Sequence, residues 1–378
     1  MKCAWTSVLL LSLCLAASQS FAADCHTGSQ VAVNLTTPSA SGTFATPARL
    51  TATATSPNAI TGYVVYTNAS GGYLNAYQNV KTTLDAWVIL HLTSSGGPKL
   101  QSVFVRAWDS LGFCGDSSTR AITASGAHVP TALAGNTTFN NGNADDDQGG
   151  DHGVTLGWGD CGTKACSGGA NDATVSFAFG QLPEKDTNGS ILLSVTGSNN
   201  ANGLFWHKVG AQSSYTNFLW DFWFQLSSNT NGDAQAIEFD TFQSVSLKKY
   251  MFGTQCNYST GVWQGWNDVT GKWVDAIPNT ATDGSPTGTT ITCSKFSTGT
   301  WHHAQFFLQR TFAGRLLYGN VTIDGTTTQW NISAPASTTT WADVLGFNQQ
   351  LDTNAAFTGT TTLQEWADED KLTVWPQD

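Results

Sequence analysis

Charge is what this sequence has least of. Asp, Glu, Lys and Arg together make up 11% of its 378 residues, less than half of the ~25% usual for a soluble domain. Glutamate is almost missing: Glu184, Glu238, Glu365 and Glu369 are its whole complement. So little Glu and Lys excludes the long amphipathic helices of a bundle or coiled coil. The 16 basic residues are outnumbered by 27 acidic ones, a net charge of −11. A nucleic-acid partner is thereby excluded, since nothing neutralises a row of phosphates. Long apolar runs are scarce as well. The one continuous run, residues 7–17, is too short to cross a bilayer. With Lys2 before it and the small residues Ser20 and Ala22 after it, it predicts a secretory signal over residues 1–23 and no membrane span.

What the chain does have is 38 Gly, 15 Trp and neutral polar side chains throughout. That mixture predicts an all-β protein. Six cysteines remain beyond the signal: Cys25, Cys114, Cys161, Cys166, Cys256 and Cys293. No second Cys or His pair with metal spacing accompanies them, so disulfides are expected rather than zinc. Their order along the chain favours the local pairs 25–114, 161–166 and 256–293. Bridges and signal together predict a secreted, extracellular or periplasmic protein.

Residues 24–127 carry short β runs at 48–55, 60–67, 83–92 and 101–109, separated by turn residues, which reads as a small β-sandwich. The alternating segments Arg49-Leu50-Thr51-Ala52-Thr53-Ala54 and Val103-Phe104-Val105-Arg106-Ala107-Trp108-Asp109 resemble bacterial immunoglobulin-like modules, which implies a spacer or adhesive role. A Gly/Asn/Asp-rich stretch follows over 128–150, read as linker and entry loop. Beyond it, 151–378 holds strand candidates at 190–195, 218–226, 236–242, 250–257, 262–266, 303–309, 318–323 and 370–375. So many strands fit two large antiparallel sheets, a β-jelly roll.

The segment Ala236-Ile237-Glu238-Phe239-Asp240-Thr241-Phe242-Gln243 is the most informative. A period of two turns Ile237, Phe239 and Thr241 to the core and Glu238 and Asp240 to the opposite face. Adjacent carboxylates repel, so one is expected to hold its proton more firmly. The segment resembles the signature strand of concanavalin A-like lectins and glucanases, the laminarinase and laminin-G-like jelly rolls among them. Their E-x-D-x-x-E pattern implies Glu238 as nucleophile and Asp240 as its helper. The last acid is replaced by Gln243, which cannot act as acid/base; Glu365 is the substitute candidate. The resemblance also covers Trp301-His302-His303 and the closing strand Trp366–Trp375. It implies a structural calcium held by Asp368 with loop carboxylates such as Asp146 and Asp147, the hard oxygen donors calcium needs. No other cofactor is implied.

Sugar rings offer apolar C–H faces and fixed hydroxyls, so glycan binders pair exposed Trp with amides and carboxylates. Trp223, Trp263, Trp266, Trp273 and Trp206 are candidate platforms. Gln243, Gln255, Gln305, Gln350 and His303 are candidate polar partners. Phe218, Trp220, Phe222 and Phe224 are expected inside. The expectation is a polysaccharide-recognising protein; a retaining endo-glycanase and a purely structural or adhesive surface protein remain open beside it. The glycan and the oligomeric state stay open as well.

Overall fold

A computed structural model describes residues 25–26, 30–67, 73–77, 82–93, 95–139, 157–161, 173–187, 189–277, 289–311 and 314–376. The expected signal, Asp146, Asp147 and Cys166 lie outside these. Among the described residues no helix is long and apolar enough to cross a membrane.

The first part of the chain forms β1 (Ala32–Thr37), β2 (Thr43–Thr46), β3 (Ala48–Thr55), β4 (Ile60–Thr67), β5 (Tyr73–Tyr77) and β6 (Thr83–Val88). Then come β7 (Lys99–Asp109), β8 (Cys114–Asp116) and β9 (Arg120–Ala127). One sheet is ordered β1-β3-β6 and the other β2-β9-β7-β4-β5, with β8 against β7. Alternation works as expected: Leu50, Ala52 and Ala54 of β3 face Val103, Val105 and Ala107 of β7 in one buried core. Cys25 and Cys114 are bridged.

The rest begins with β10 (Thr137–Phe139), β11 (Gly157–Cys161), β12 (Ala173–Gln181), β13 (Ser190–Gly197), β14 (Asn202–Gly210) and β15 (Asn217–Leu226). After one helical turn, α1 (Thr230–Asp233), come β16 (Ala234–Val245), β17 (Lys248–Phe252), β18 (Thr254–Asn257), β19 (Val262–Asn267) and β20 (Lys272–Asp275). The last six are β21 (His302–Arg310), β22 (Arg315–Ile323), β23 (Thr326–Pro335), β24 (Ser337–Thr338), β25 (Val344–Thr353) and β26 (Thr361–Trp375). An eight-stranded sheet runs β12-β13-β26-β15-β21-β22-β23, with β10 beside β26. A nine-stranded sheet runs β11-β14-β25-β16-β18-β19-β20, with β17 and β24 at its margin. The fold is all-β, as the composition requires. Thr137–Phe139, inside the stretch read as linker, is a strand of the second sandwich.

Aromatic rings fill the space between these two sheets. Phe218, Trp220, Phe222 and Phe224 all have 0% exposure. Trp220 stacks on Phe222 at 4.2 Å and meets Phe347 of the facing sheet at 4.9 Å. Such rings bury more area per residue than any other side chain, which suits a wide sandwich with few charges. Cys256 and Cys293 are bridged. Cys161 is also disulfide-bonded.

The two sandwiches touch through buried amides. Asn320 Nδ2 donates to Thr46 O at 2.6 Å and to His128 O at 2.7 Å. Gln329 Nε2 donates to Leu90 O at 2.6 Å and to Thr46 Oγ1 at 3.0 Å. Leu133, Phe307 and Trp375 close an apolar patch beside them, with Trp87 packed against it. All of this lies on the outer side of the eight-stranded sheet. Asn320→Ala strands two buried carbonyls, so urea unfolding is expected to show a loss of about 1–3 kcal/mol; an unchanged midpoint would mean that this contact does not couple the sandwiches.

Candidate functional site

The pairing of β16 with β25 runs without a shift from Ala236↔Asp352 to Ser244↔Val344. Side-chain parity therefore never slips along the strand. Ile237 and Phe239 lie in the core, and Glu238, Asp240 and Phe242 line the outer face of the nine-stranded sheet. Glu238 stands opposite Gln350 on one side and Gln255 on the other. Asp240 stands opposite Asn348.

These polar groups form a connected floor. Asp240 accepts from Asn348 Nδ2 at 2.9 Å and from the Thr254 backbone N–H at 2.9 Å. Gln350 Nε2 donates to Asp352 at 3.1 Å. The side chains of Glu238 and Asp352 influence each other's hold on a proton. The ladder continues outward: Gln255 Nε2 donates to Gln264 Oε1 at 2.6 Å, and Gln264 Nε2 donates to Asp275 at 2.7 Å. Neutral amides and carboxylates thus form one row over five adjacent strands.

Glu238 and Asp240 retain 5% and 7% of their exposure, and this burial sets their protonation. Loss of solvent raises Glu238 well above the usual carboxylate range, and the charges of Asp352 and Asp240 add to the rise. Burial also raises Asp240, to about 7, against the two N–H donors that favour its charged form. Asp352 is raised by burial, with Glu238 and Gln350 donating against the rise. No basic side chain is among the influences on any of the three. All three carboxyls are thus pushed toward the protonated form, in which a carboxyl donates as well as accepts.

Half-buried tryptophans border the floor. Trp206 on β14 stands opposite Asn348, with Lys208 Nζ 5.3 Å from its ring centre. Trp266 and Trp273 face each other on β19 and β20, ring centres 5.1 Å apart. Gly253 lets Trp266 close in on Asp240: a Cβ there would stand 2.7 Å from Trp266 Cβ and 3.4 Å from Asp240 Oδ1. From Trp206 to Trp266 is four strand spacings, about 19 Å.

The other expected site residues fall elsewhere. Gln243 has inward parity and 0% exposure; its Nε2 donates to Gln212 O at 2.6 Å and Tyr215 O at 3.0 Å. It therefore does not occupy the acid/base position that the sequence pattern suggested, because the register of β16 on β25 is unbroken between Glu238 and Gln243. Glu365 is also corrected: it points between the sheets with 0% exposure, both oxygens unpartnered. Trp263 belongs to the core, 5.2 Å from Trp330.

Trp223, His303 and Gln305 do come together, but on the outer face of the eight-stranded sheet. Trp223 stacks on His303 at 4.6 Å and carries Lys185 Nζ at 4.3 Å. Both its faces are taken, so it offers no platform. His303 Nε2 lies 2.8 Å from Asp221 Oδ1, and Gln305 Nε2 donates to Asp221 Oδ2 at 2.7 Å. Asp368 accepts the backbone N–H groups of Lys185 and Glu369, each at 2.7 Å. Among the described residues no group of three or more acidic, His or Cys side chains is arranged for a metal; Asp146 and Asp147, expected beside Asp368, lie outside them.

No protein-family model matches the chain, and no curated protein matches it in sequence. Solved structures similar to it include one from work on carbohydrate-binding modules of the β-sandwich superfamily, at 12% identity over 90% of this chain and 97% of that one, TM-score 0.30. Arcelin-5, a lectin-like defence protein from Phaseolus vulgaris, is similar at 12% identity over 64% of this chain and all of its own, TM-score 0.33. Basic winged bean lectin, solved with Tn-antigen, is similar at 8% identity over 64% of this chain, TM-score 0.34.

Asp352 and Asn348 were not among the residues the sequence singled out. Their only signal is the alternation Asn348-x-Gln350-x-Asp352, which places three polar groups on one face of a strand.

Proposed function

We propose that the outer face of the nine-stranded sheet binds a polysaccharide chain without cleaving it. The observation that carries this reading is that neither carboxyl the sequence pattern offers beside Glu238 can serve as its catalytic partner. Cleavage needs two carboxyl groups on either side of a glycosidic bond, about 5–5.5 Å apart for retention and 6.5–9.5 Å for inversion. Both oxygens of Asp240 are already engaged, and Glu365 is on the wrong side of a sheet. Sugar hydroxyls instead find donors and acceptors at fixed spacing along the Gln350–Glu238–Gln255–Gln264 row, with Trp206, Trp266 and Trp273 as apolar borders. On this reading residues 24–127 form an immunoglobulin-like spacer, and 151–378, joined by the strand Thr137–Phe139, form the binding domain of a secreted protein. A calcium held by Asp368 with Asp146 and Asp147 belongs to the same proposal; a lower thermal midpoint after chelation would support it.

The test is retention and product analysis on a panel of cellulose, mixed-linkage glucan, xylan and galactan. Wild type is expected to be retained by one of them and to release no oligosaccharide. Trp266→Ala is expected to weaken retention about tenfold, the scale of one lost ring contact. Oligosaccharides released by wild type and absent with Glu238→Gln would make the protein a glycanase. No retention on any polymer would leave the structural or adhesive reading.

A further inference from the structure

Six large apolar side chains are conspicuously exposed among the described residues, and three of them share one neighbourhood: Leu247 at 68%, Val269 at 55% and Trp341 at 46%. Trp341 is the one that is held in place. Thr339 N–H donates to Leu247 O at 3.0 Å, Trp341 N–H to Thr339 Oγ1 at 3.1 Å, and Ser246 N–H to Asp343 at 2.9 Å. These bonds tie the segment between β24 and β25 to the β16–β17 turn. Phe242 meets the ring edge-on at 6.2 Å, and Lys249 Nζ stands 5.0 Å from its centre.

Phe242 is the next residue after Asp240 on the same outer face, about 7 Å further along the strand. Trp341 thus adjoins the carboxylate floor at its far end. A second link runs through charge. Lys249 pairs with Asp268 at 3.0 Å, and Asp268 accepts from Trp266 Nε1 at 3.0 Å. Trp266 and Trp341 are therefore oriented by one ion pair. An indole fixed on its backbone, braced at its edge and left half in water is poorly explained by packing. A fixed ring loses little freedom on binding, which is the economy of a preorganised platform.

We infer that Trp341 is a further sugar-stacking subsite, taking a ring of the same bound chain one position beyond Asp240. This rests on the glycan-binding reading above. It adds that the bound segment extends along β16 as well as across the sheet, so the protein prefers longer chains to short oligosaccharides.

Native gels cast with mixed-linkage glucan, xylan or galactan identify the retarding polymer. Titrations with short and long oligosaccharides of that polymer follow. Trp341→Ala is expected to weaken binding of long oligosaccharides about tenfold and leave short ones within about twofold, with Trp341→Phe restoring most of the loss. Equal affinity of wild type and Trp341→Ala at every length would overturn the subsite while leaving the floor as a binding site. Loss of self-association in Trp341→Ala, with glycan affinity unchanged, would reassign the patch to contact with a second copy. No retardation of wild type by any polymer would instead remove the reading beneath it. A thermal midpoint for Trp341→Ala close to wild type confirms that the fold is kept.

Discussion

Gln243→Glu is expected to destabilise the second sandwich strongly, and not to create a hydrolase. Read from the sequence alone, the substitution restores a catalytic acid to its place in the strand. In the folded chain it replaces an amide N–H₂ that serves two carbonyls, Gln212 O and Tyr215 O, with a carboxylate that cannot donate to either. Gln243 has no exposure, so the new charge has no water to turn to. Burying an uncompensated charge against two carbonyls costs about 3–5 kcal/mol, a large share of the stability of a single domain. Urea unfolding followed by tryptophan fluorescence measures it, since the aromatic core reports directly. A variant as stable as wild type that hydrolyses a β-glucan would show that residue 243 does reach the outer face.

Glu365→Gln is expected to stabilise the protein at about pH 8 and to flatten its dependence on pH. Glu365 lies between Leu193 and Leu226 in adjacent strands, with neither oxygen hydrogen-bonded. Burial lifts it well above its ordinary value of 4.5, and the nearby charge of Asp370 adds to the rise. Asp370 is itself raised by burial, although Trp220 Nε1 donates to it at 3.0 Å. The sign follows from which state binds the proton. Below pH 4.5 both the folded and the unfolded chain hold it, and Glu365 costs nothing electrostatically. As pH rises past 4.5 the unfolded chain ionises first. Each further unit then removes about 1.4 kcal/mol of stability until the folded value is reached. Glutamine has no such dependence. Thermal midpoints for wild type and Glu365→Gln are expected to converge in acid and to separate by about 2–4 °C per kcal/mol on the alkaline side. Parallel curves across the range would mean that Glu365 is ionised in the folded state or that its proton is not linked to folding.

Much of this architecture was legible because strand periodicity is a local property. The inward set of β15 and the outward placement of Glu238 and Asp240 follow from counting residues by twos. Eight strands of the second sandwich were visible as β-branched and aromatic runs. The strand Val344–Thr353 was not. Its sequence Val-Leu-Gly-Phe-Asn-Gln-Gln-Leu-Asp-Thr is interrupted by Gly346, Asn348 and Asp352, residues depleted in strands, and pairing with β14 and β16 holds it extended. That strand carries Asn348, Gln350 and Asp352, so the partners of the two visible carboxylates were hidden with it. Trp223 and Trp266 look alike in sequence, each an indole beside polar residues. One is closed between Lys185 and His303 and the other borders the carboxylate floor, which depends on what each neighbouring strand supplies.

By itself, the sequence determined an acidic, helix-poor β protein, two disulfide-closed sandwiches and a strand presenting two carboxylates away from the core. Those features rest on composition and on a period of two, and both are carried by contiguous residues. Tertiary structure alone decided which groups surround the carboxylates, that Gln243 and Glu365 are interior, and that the expected ligand residues divide between two opposite faces. Register between distant strands sets these outcomes. A shift of one residue exchanges the faces of a strand, and no local pattern records which partner it will meet.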